Sequence, residues 1–187
     1  MCKENVNPLG KITKQDYLYK GKILNLRQDV ISSDKGKSIV RDVVEHRPAV
    51  TIIPVNKSGK ICMVNQFRHP VSENMYELPA GLIDDGENPE TAAIRELQEE
   101  IGYKPGRLVK ISTFYTSPGF CDEKITLFLA TDLIKSKLPE DDDEFIEVEW
   151  FTAQEIDRMC SKNEIFDAKT ILGFYLYLAK RGALCLA

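Results

Sequence analysis

The stretch GLIDDGENPETAAIRELQEEIGY, residues 81–103, constrains this chain more than any other. Asn88 is a suitable N-cap and Pro89 suits the first helical position. Ile94, Leu97 and Ile101 recur at i, i+3 and i+7, which gives a core-facing stripe, and Gly102 is placed to end the helix. Within that helix Glu96 and Glu100 stand one turn apart with Glu99 beside them. Like charges at this spacing destabilise a helix by roughly 0.2–0.5 kcal/mol per pair, and the C-terminal end of the macrodipole disfavours anions. A hard divalent cation removes the conflict: Mg²⁺ takes oxygen ligands and usually keeps waters and substrate phosphates as the remainder. Arg95 is spaced to brace Glu99 from the side or to hold Glu87 across the glycine loop. The bland alternative is a solvated acidic face.

The flanking sequence predicts an α+β fold with a mixed sheet sandwiched by helices. Before the helix, ILNLRQDVI and SIVRDVVEH alternate apolar and polar and flank the turn cluster SSDKGKS, so residues 14–50 form a short β-meander. AVTIIPV and KICMVNQF flank NKSG and predict a hairpin, and MYELPAG predicts a further strand ended by Pro79 and Gly81. After the helix, RLVKISTFYTS, KITLFLATDL and FIEVEWF are strands. TAQEIDRMCSKN and FDAKTILGFYLYLAKRG are helices, the first with a Thr152 N-cap and Glu155 completing a capping box. The domain boundary is expected at residues 48/49, with the meander at 1–48 and the larger domain at 49–187.

Composition excludes several classes of function. The 187 residues carry a formal charge of −4, not the basic footprint of a nucleic-acid binder. No apolar run reaches the length of a membrane span, and the N-terminal stretch lacks a signal core. Five scattered cysteines, Cys2, Cys62, Cys121, Cys160 and Cys185, without CxxC spacing suit reduced thiols in a cytoplasm.

The 81–103 stretch resembles the signature of the Nudix hydrolases, G-x5-E-x7-R-E-U-x-E-E-x-G-U with U apolar: Gly81, Glu87, Arg95, Glu96, Leu97, Glu99, Glu100 and Gly102 fall into register. Tyr103 stands where an aliphatic residue is usual, a departure expected to affect packing alone. Pro118 in SPGF, sixteen residues after Gly102, together with QFRHP, YELPAG and DAKT, is similar to the ADP-ribose pyrophosphatase branch, over roughly residues 12–180. The resemblance implies a Nudix-type α/β/α sandwich with an N-terminal β-meander and Mg²⁺-dependent hydrolysis of ADP-ribose to AMP and ribose 5-phosphate, with Mn²⁺ as the alternative ion. It implies the Ala80 carbonyl, Glu96 and Glu100 as metal ligands, and Glu99 as a ligand or close neighbour. Arg68 would contact the diphosphate, Arg41 and Asp42 would lie near the adenine, and Pro118 and Gly119 would shape the substrate loop.

For the general base the branch suggests a loop acid in EDDDEFIEV; Glu144 is the choice, with Asp143, Glu147 and Glu123 as rivals. Phe114 and Phe120 are expected in the core, with base stacking as the alternative, and Trp150 is expected to pack. His46 and His69 are assigned neither catalysis nor metal. A homodimer built through the meander is implied, with the last helix burying that interface or its own core. Alternative readings are a pyrophosphatase for another nucleotide sugar or dinucleotide, and an ADP-ribose sensor without turnover.

Overall fold

The computed structural model describes residues 9–33, 36–139 and 146–184. The chain divides into two units, and the first comprises the described residues up to Arg47 with Tyr115–Lys124. Its sheet has the order β1 (Lys11–Lys20), β2 (Leu24–Ser32), β3 (Ser38–His46), all antiparallel. The β2–β3 register runs unbroken from Leu24 opposite His46 to Ser32 opposite Ser38. Strand β1 falls largely inside the expected 14–50 meander, but the sequence pattern does not single it out as a strand, because its residues, KITKQDYLYK, are nearly all exposed on both faces. A strand with no buried face shows no apolar alternation; β1 is held by backbone pairing and by polar side chains such as Gln15. On β2 the buried Asp29 is satisfied by Arg27 (Nε to Oδ1 3.0 Å) and by Gln15 (Nε2 to Oδ1 3.0 Å). The same Arg27 also bonds Glu45. The 115–124 stretch joins β3 through Val44 N donating to Phe120 O at 2.8 Å and Asp122 N donating to Val44 O at 3.1 Å.

The second unit holds β4 (Ala49–Pro54), β5 (Ile61–Arg68), β6 (Glu73–Glu77), β7 (Ala80–Leu82), α1 (Pro89–Glu100), β8 (Tyr103–Lys104), β9 (Arg107–Tyr115), β10 (Lys124–Thr131), β11 (Ile134–Lys135), β12 (Ile146–Phe151), α2 (Ala153–Ser161) and α3 (Ala168–Leu184). One sheet has the order β7-β4-β10-β9 with β4 and β10 parallel; a second has the order β12-β5-β6, antiparallel; β8 and β11 form a short pair. Every residue of β4 is buried. Successive strand residues point to opposite faces, so Ile53 enters one cluster with Leu127, Ile156 and Phe174, while Val50 and Ile52 enter another with Leu97, Ile101 and Phe128. The first cluster takes its helical residues from α2 and α3, the second from α1. A sheet covered by helices on both faces is the α/β/α sandwich.

Two local expectations change. NKSG makes a tight turn, with Asn56 N donating to Lys60 O at 2.9 Å, but β4 and β5 share only the Val55–Ile61 bridge and then enter separate sheets. All of β4 and the first half of β5, Ile61–Val64, are buried and so need neighbours and cover on all sides, and a simple hairpin leaves one edge of each open. MYELPAG is split in two: β6 stops at Glu77 and β7 starts at Ala80, with Gly81 inside it. The capping signals of the helices hold. Asn88 Oδ1 accepts from Thr91 N at 2.9 Å, Gly102 takes the left-handed φ of +74°, and Thr152 with Glu155 forms the capping box.

Candidate active site

The site grows from the pitch of α1. Ala92, Ala93 and Leu97 face the sheet, and Glu96 and Glu100 lie beside that stripe, so packing the apolar residues draws both acids inward. Glu96 is 8% exposed and Glu100 is 3% exposed, which excludes a solvated acidic face. Strand β7 lies against them. Ala80 N donates to Glu100 Oε2 at 3.2 Å. A Cβ on Gly81 would sit 2.1 Å from the Glu96 carboxylate carbon, so only glycine admits that acid so close to the strand.

Arg95 fulfils both roles foreseen for it. Its Nη1 donates to Glu96 Oε1 (2.7 Å) and Glu99 Oε2 (2.8 Å). Its Nε and Nη2 donate to the two oxygens of Glu87 (3.2 and 3.0 Å), and Nη2 also reaches Leu82 O (2.9 Å). Glu87 in turn accepts from Asp84 N at 3.1 Å, which closes the glycine loop onto the helix. The Arg95 hydrogen bonds hold the Glu87 carboxyl below the usual carboxylate range, and the surrounding acids raise the guanidinium pKa in return.

Three carboxylates, Glu87, Glu96 and Glu99, thus face one guanidinium, and Glu100 lies one turn beyond Glu96. Among the described residues, no three His, Cys, Asp or Glu side chains enclose an ion by themselves. The donor chemistry nevertheless suits a hard cation that completes its shell with water and phosphate: two buried carboxylates one turn apart beside a strand's main chain. Burial and the charge of Glu100 push the Cys62 thiol up to about 12.

The second unit therefore brings together Ala80, Arg95, Glu96, Glu99 and Glu100. Arg68, at the end of β5, is close enough for the Glu100 charge to raise its pKa, after the larger effect of its hydrogen bonds to Glu77. Arg41, Asp42, Pro118 and Gly119 belong to the first unit. There Arg41 donates to Val40 O at 3.0 Å, Asp42 accepts from Gln28 Nε2 at 3.0 Å, and Phe120 N and Cys121 N close a turn over Pro118 and Gly119 onto Ser117 O.

Glu144 and its rival Asp143 lie outside the described residues. Of the other rivals, Glu147 is exposed on β12, and Glu123 accepts from Thr116 Oγ1 at 2.7 Å with His46 Nδ1 3.5 Å away. Phe114 packs on the core as expected, but Phe120 does not: its main chain pairs with Val44 of β3 while the residue is 59% exposed. Trp150 packs edge-on against Tyr103. The sequence reading missed Glu77, 1% exposed, since a single acid in a strand carries no pattern.

The family profile described as NUDIX domain matches residues 45–174. This chain belongs to the Nudix family. Among curated relatives of this Nudix hydrolase, an ADP-ribose pyrophosphatase of Bacillus subtilis (strain 168) is 41% identical over 162 residues, covering 86% of this chain and 88% of the relative. A methanol dehydrogenase activator of Bacillus methanolicus is 35% identical, covering 90% and 92%. An ADP-ribose pyrophosphatase of Mycobacterium tuberculosis is 37% identical, covering 83% and 77%. A solved structure described as an ADP compounds hydrolase superposes with a TM-score of 0.84 over 92% of this chain and 95% of that one; at 19% identity it bears on the fold alone. It supports the Nudix-type α+β sandwich.

Proposed function

We propose that this Nudix hydrolase cleaves the diphosphate of ADP-ribose, giving AMP and ribose 5-phosphate, as a cytoplasmic homodimer that uses Mg²⁺. The observation that carries the reading is the pair of buried acids beside β7, Glu96 under Gly81 and braced by Arg95, and Glu100 at Ala80 N. The substrate rests on the relatives named ADP-ribose pyrophosphatase.

When held by Glu96, Glu100, the Ala80 carbonyl and Glu99, Mg²⁺ or Mn²⁺ supplies Lewis-acid charge for the diphosphate oxygens and makes water easier to deprotonate. Arg95 keeps Glu96 and Glu99 oriented and ties them to the loop through Glu87. Arg68 donates to the diphosphate as a fixed fork of N–H groups. Glu144 takes the proton of the attacking water, whose oxygen bonds to one phosphorus as the bond from that phosphorus to the bridging oxygen breaks. Arg41 and Asp42 serve the adenine end, and Pro118 and Gly119 the substrate loop.

The roles of the two regions are a catalytic domain at 49–187 and a meander at 1–48 that dimerises and contributes to substrate binding. Exposed Leu18, Tyr19 and Val40 on the meander support dimerisation. The cytoplasmic assignment is supported by Cys62, Cys121 and Cys160 being free thiols. No helix among the described residues is long and apolar enough to cross a membrane.

The test is turnover of ADP-ribose, GDP-mannose, NADH and diadenosine compounds with Mg²⁺ and with Mn²⁺, with products separated. The expected result is the highest kcat/KM on ADP-ribose, with AMP and ribose 5-phosphate formed, and loss of turnover in Glu100→Gln. Preference for a GDP sugar moves the reading to another nucleotide-sugar pyrophosphatase. Binding of ADP-ribose with no turnover of any substrate makes the chain a sensor.

A further inference from the structure

Strand β6 ends on an ionic cluster outside the four acids of the signature. The Glu77 side chain is 2% exposed and accepts from two cations. Arg68 Nε reaches Oε1 at 2.7 Å and Arg68 Nη2 reaches Oε2 at 2.8 Å, while Lys169 Nζ bonds Oε2 from α3. Lys169 Nζ also donates to Asp167 Oδ2 at 3.0 Å. That oxygen also accepts from Thr170 N (2.9 Å) and Thr170 Oγ1 (2.6 Å), and Thr170 Oγ1 accepts from Leu78 N at 2.8 Å. The start of α3 therefore grips both Glu77 and the next backbone amide. Burial alone would drive the Glu77 carboxyl up, but Arg68 and Lys169 more than offset this and hold it below the usual range.

The geometry has a direction. The Arg68 side chain is 39% exposed whereas that of Glu77 is 2% exposed, so the guanidinium runs from a buried anchor outward. Glu77 takes Nε and Nη2, and a planar guanidinium held on one edge has its remaining N–H groups fixed in direction. An arginine otherwise loses much rotamer freedom on binding an anion, and holding it beforehand removes that loss from the binding step. Glu77 could have neutralised Arg68, but Lys169 shares the carboxylate.

We propose that Glu77 is a positioning residue that aims Arg68 at the substrate diphosphate, with Lys169 and Asp167 holding Glu77 in place. The inference rests on Arg68 being a diphosphate contact; it assigns to the Asp167–Thr170 segment a role in substrate affinity.

The test measures ADP-ribose kinetics and, by calorimetry with Mg²⁺, binding of α,β-methylene-ADP, for wild type, Glu77→Gln, Arg68→Ala and the double variant. Glu77→Gln is expected to raise both KM and the analogue's Kd about tenfold, the lower end of what losing an orienting partner costs. The Mg²⁺ concentration for half-maximal activity stays unchanged. In the Arg68→Ala background the same change has no further effect on either quantity. A purely structural role instead lowers kcat through a smaller active fraction at unchanged KM, or costs as much without Arg68 as with it; either result overturns the proposal. Should Glu77→Gln not fold, Glu77→Asp keeps the buried charge but is one methylene too short to keep both Arg68 bonds, and must show the same rise. Wild-type protein that binds the analogue yet leaves ADP-ribose intact refutes the substrate assignment while the binding arm still decides this proposal. Wild-type protein that binds no diphosphate refutes the proposal itself.

Discussion

Replacing Arg95 by alanine removes five hydrogen bonds that converge on Glu87, Glu96, Glu99 and Leu82 O. The side chain of Arg95 is 26% exposed, and those of Glu87, Glu96 and Glu99 are 12%, 10% and 24% exposed. These pairs are thus closer to the buried limit, where losing one partner costs about 3–5 kcal/mol, than to the surface limit of about 0–1 kcal/mol. The quarter of Arg95 open to solvent argues for the lower end, about 3 kcal/mol. For a chain of this size each kcal/mol moves Tm by about 2–4 °C, so the variant should melt about 6–12 °C below wild type in EDTA. The acid cluster then carries one more uncompensated negative charge, and a cation that binds only the folded state stabilises it by mass action. Added Mg²⁺ should therefore raise the variant's Tm more than the wild type's. Calorimetry with and without Mg²⁺ reads both effects. A shift under 2 °C in EDTA, or equal Mg²⁺ gains in the two proteins, would show that Arg95 does not hold the cluster together.

Gly81→Ala should lower stability by about 1–3 kcal/mol, as overpacking does, and reduce Mg²⁺-dependent turnover, because the new Cβ meets the Glu96 carboxylate at 2.1 Å. Gly182→Ala, with nothing within 4 Å, is the control that should cost neither stability nor turnover. Glu144→Gln should slow turnover at unchanged Mg²⁺ affinity; turnover at the wild-type rate would move the base to another acid. Stability should fall in acid because Glu87 and Glu77 have depressed folded-state pKa values. Their contribution is complete above the unfolded value of about 4.3 and is lost as pH drops through the lower folded values. Tm of wild type should drop as pH falls below about 4.3, and less steeply in Arg95→Ala, which has already lost the partner of Glu87; parallel curves would contradict the assignment.

Local physics makes α1 readable in advance. Asn88, Pro89 and Gly102 act within one turn of the residues they cap, so their signals need no knowledge of the rest of the chain. The i, i+4 spacing of Glu96 and Glu100 is likewise a property of the helix, and it suffices to point to a cation. Arg95 was legible only as a choice between Glu87 and Glu99, since sequence spacing treats it as one contact; a guanidinium with several N–H groups satisfies both. Strand β1 and the exposure of Phe120 left no periodic trace. The division of β4 and β5 between two sheets was hidden because adjacent apolar runs around a tight turn have the same pattern whether or not they pair.

What the amino-acid order determined alone is therefore the short-range part: the helices and their ends, most strands, and the acid spacing that marks the family. Tertiary structure decided which strands share a sheet, how deeply Glu96 and Glu100 are buried beside β7, and which cations meet Glu77. The reason is reach. Capping and periodicity act between residues within a few positions, whereas Lys169 meets Glu77 across 92 positions, and only the folded sheet and α3 bring that pair within hydrogen-bond distance.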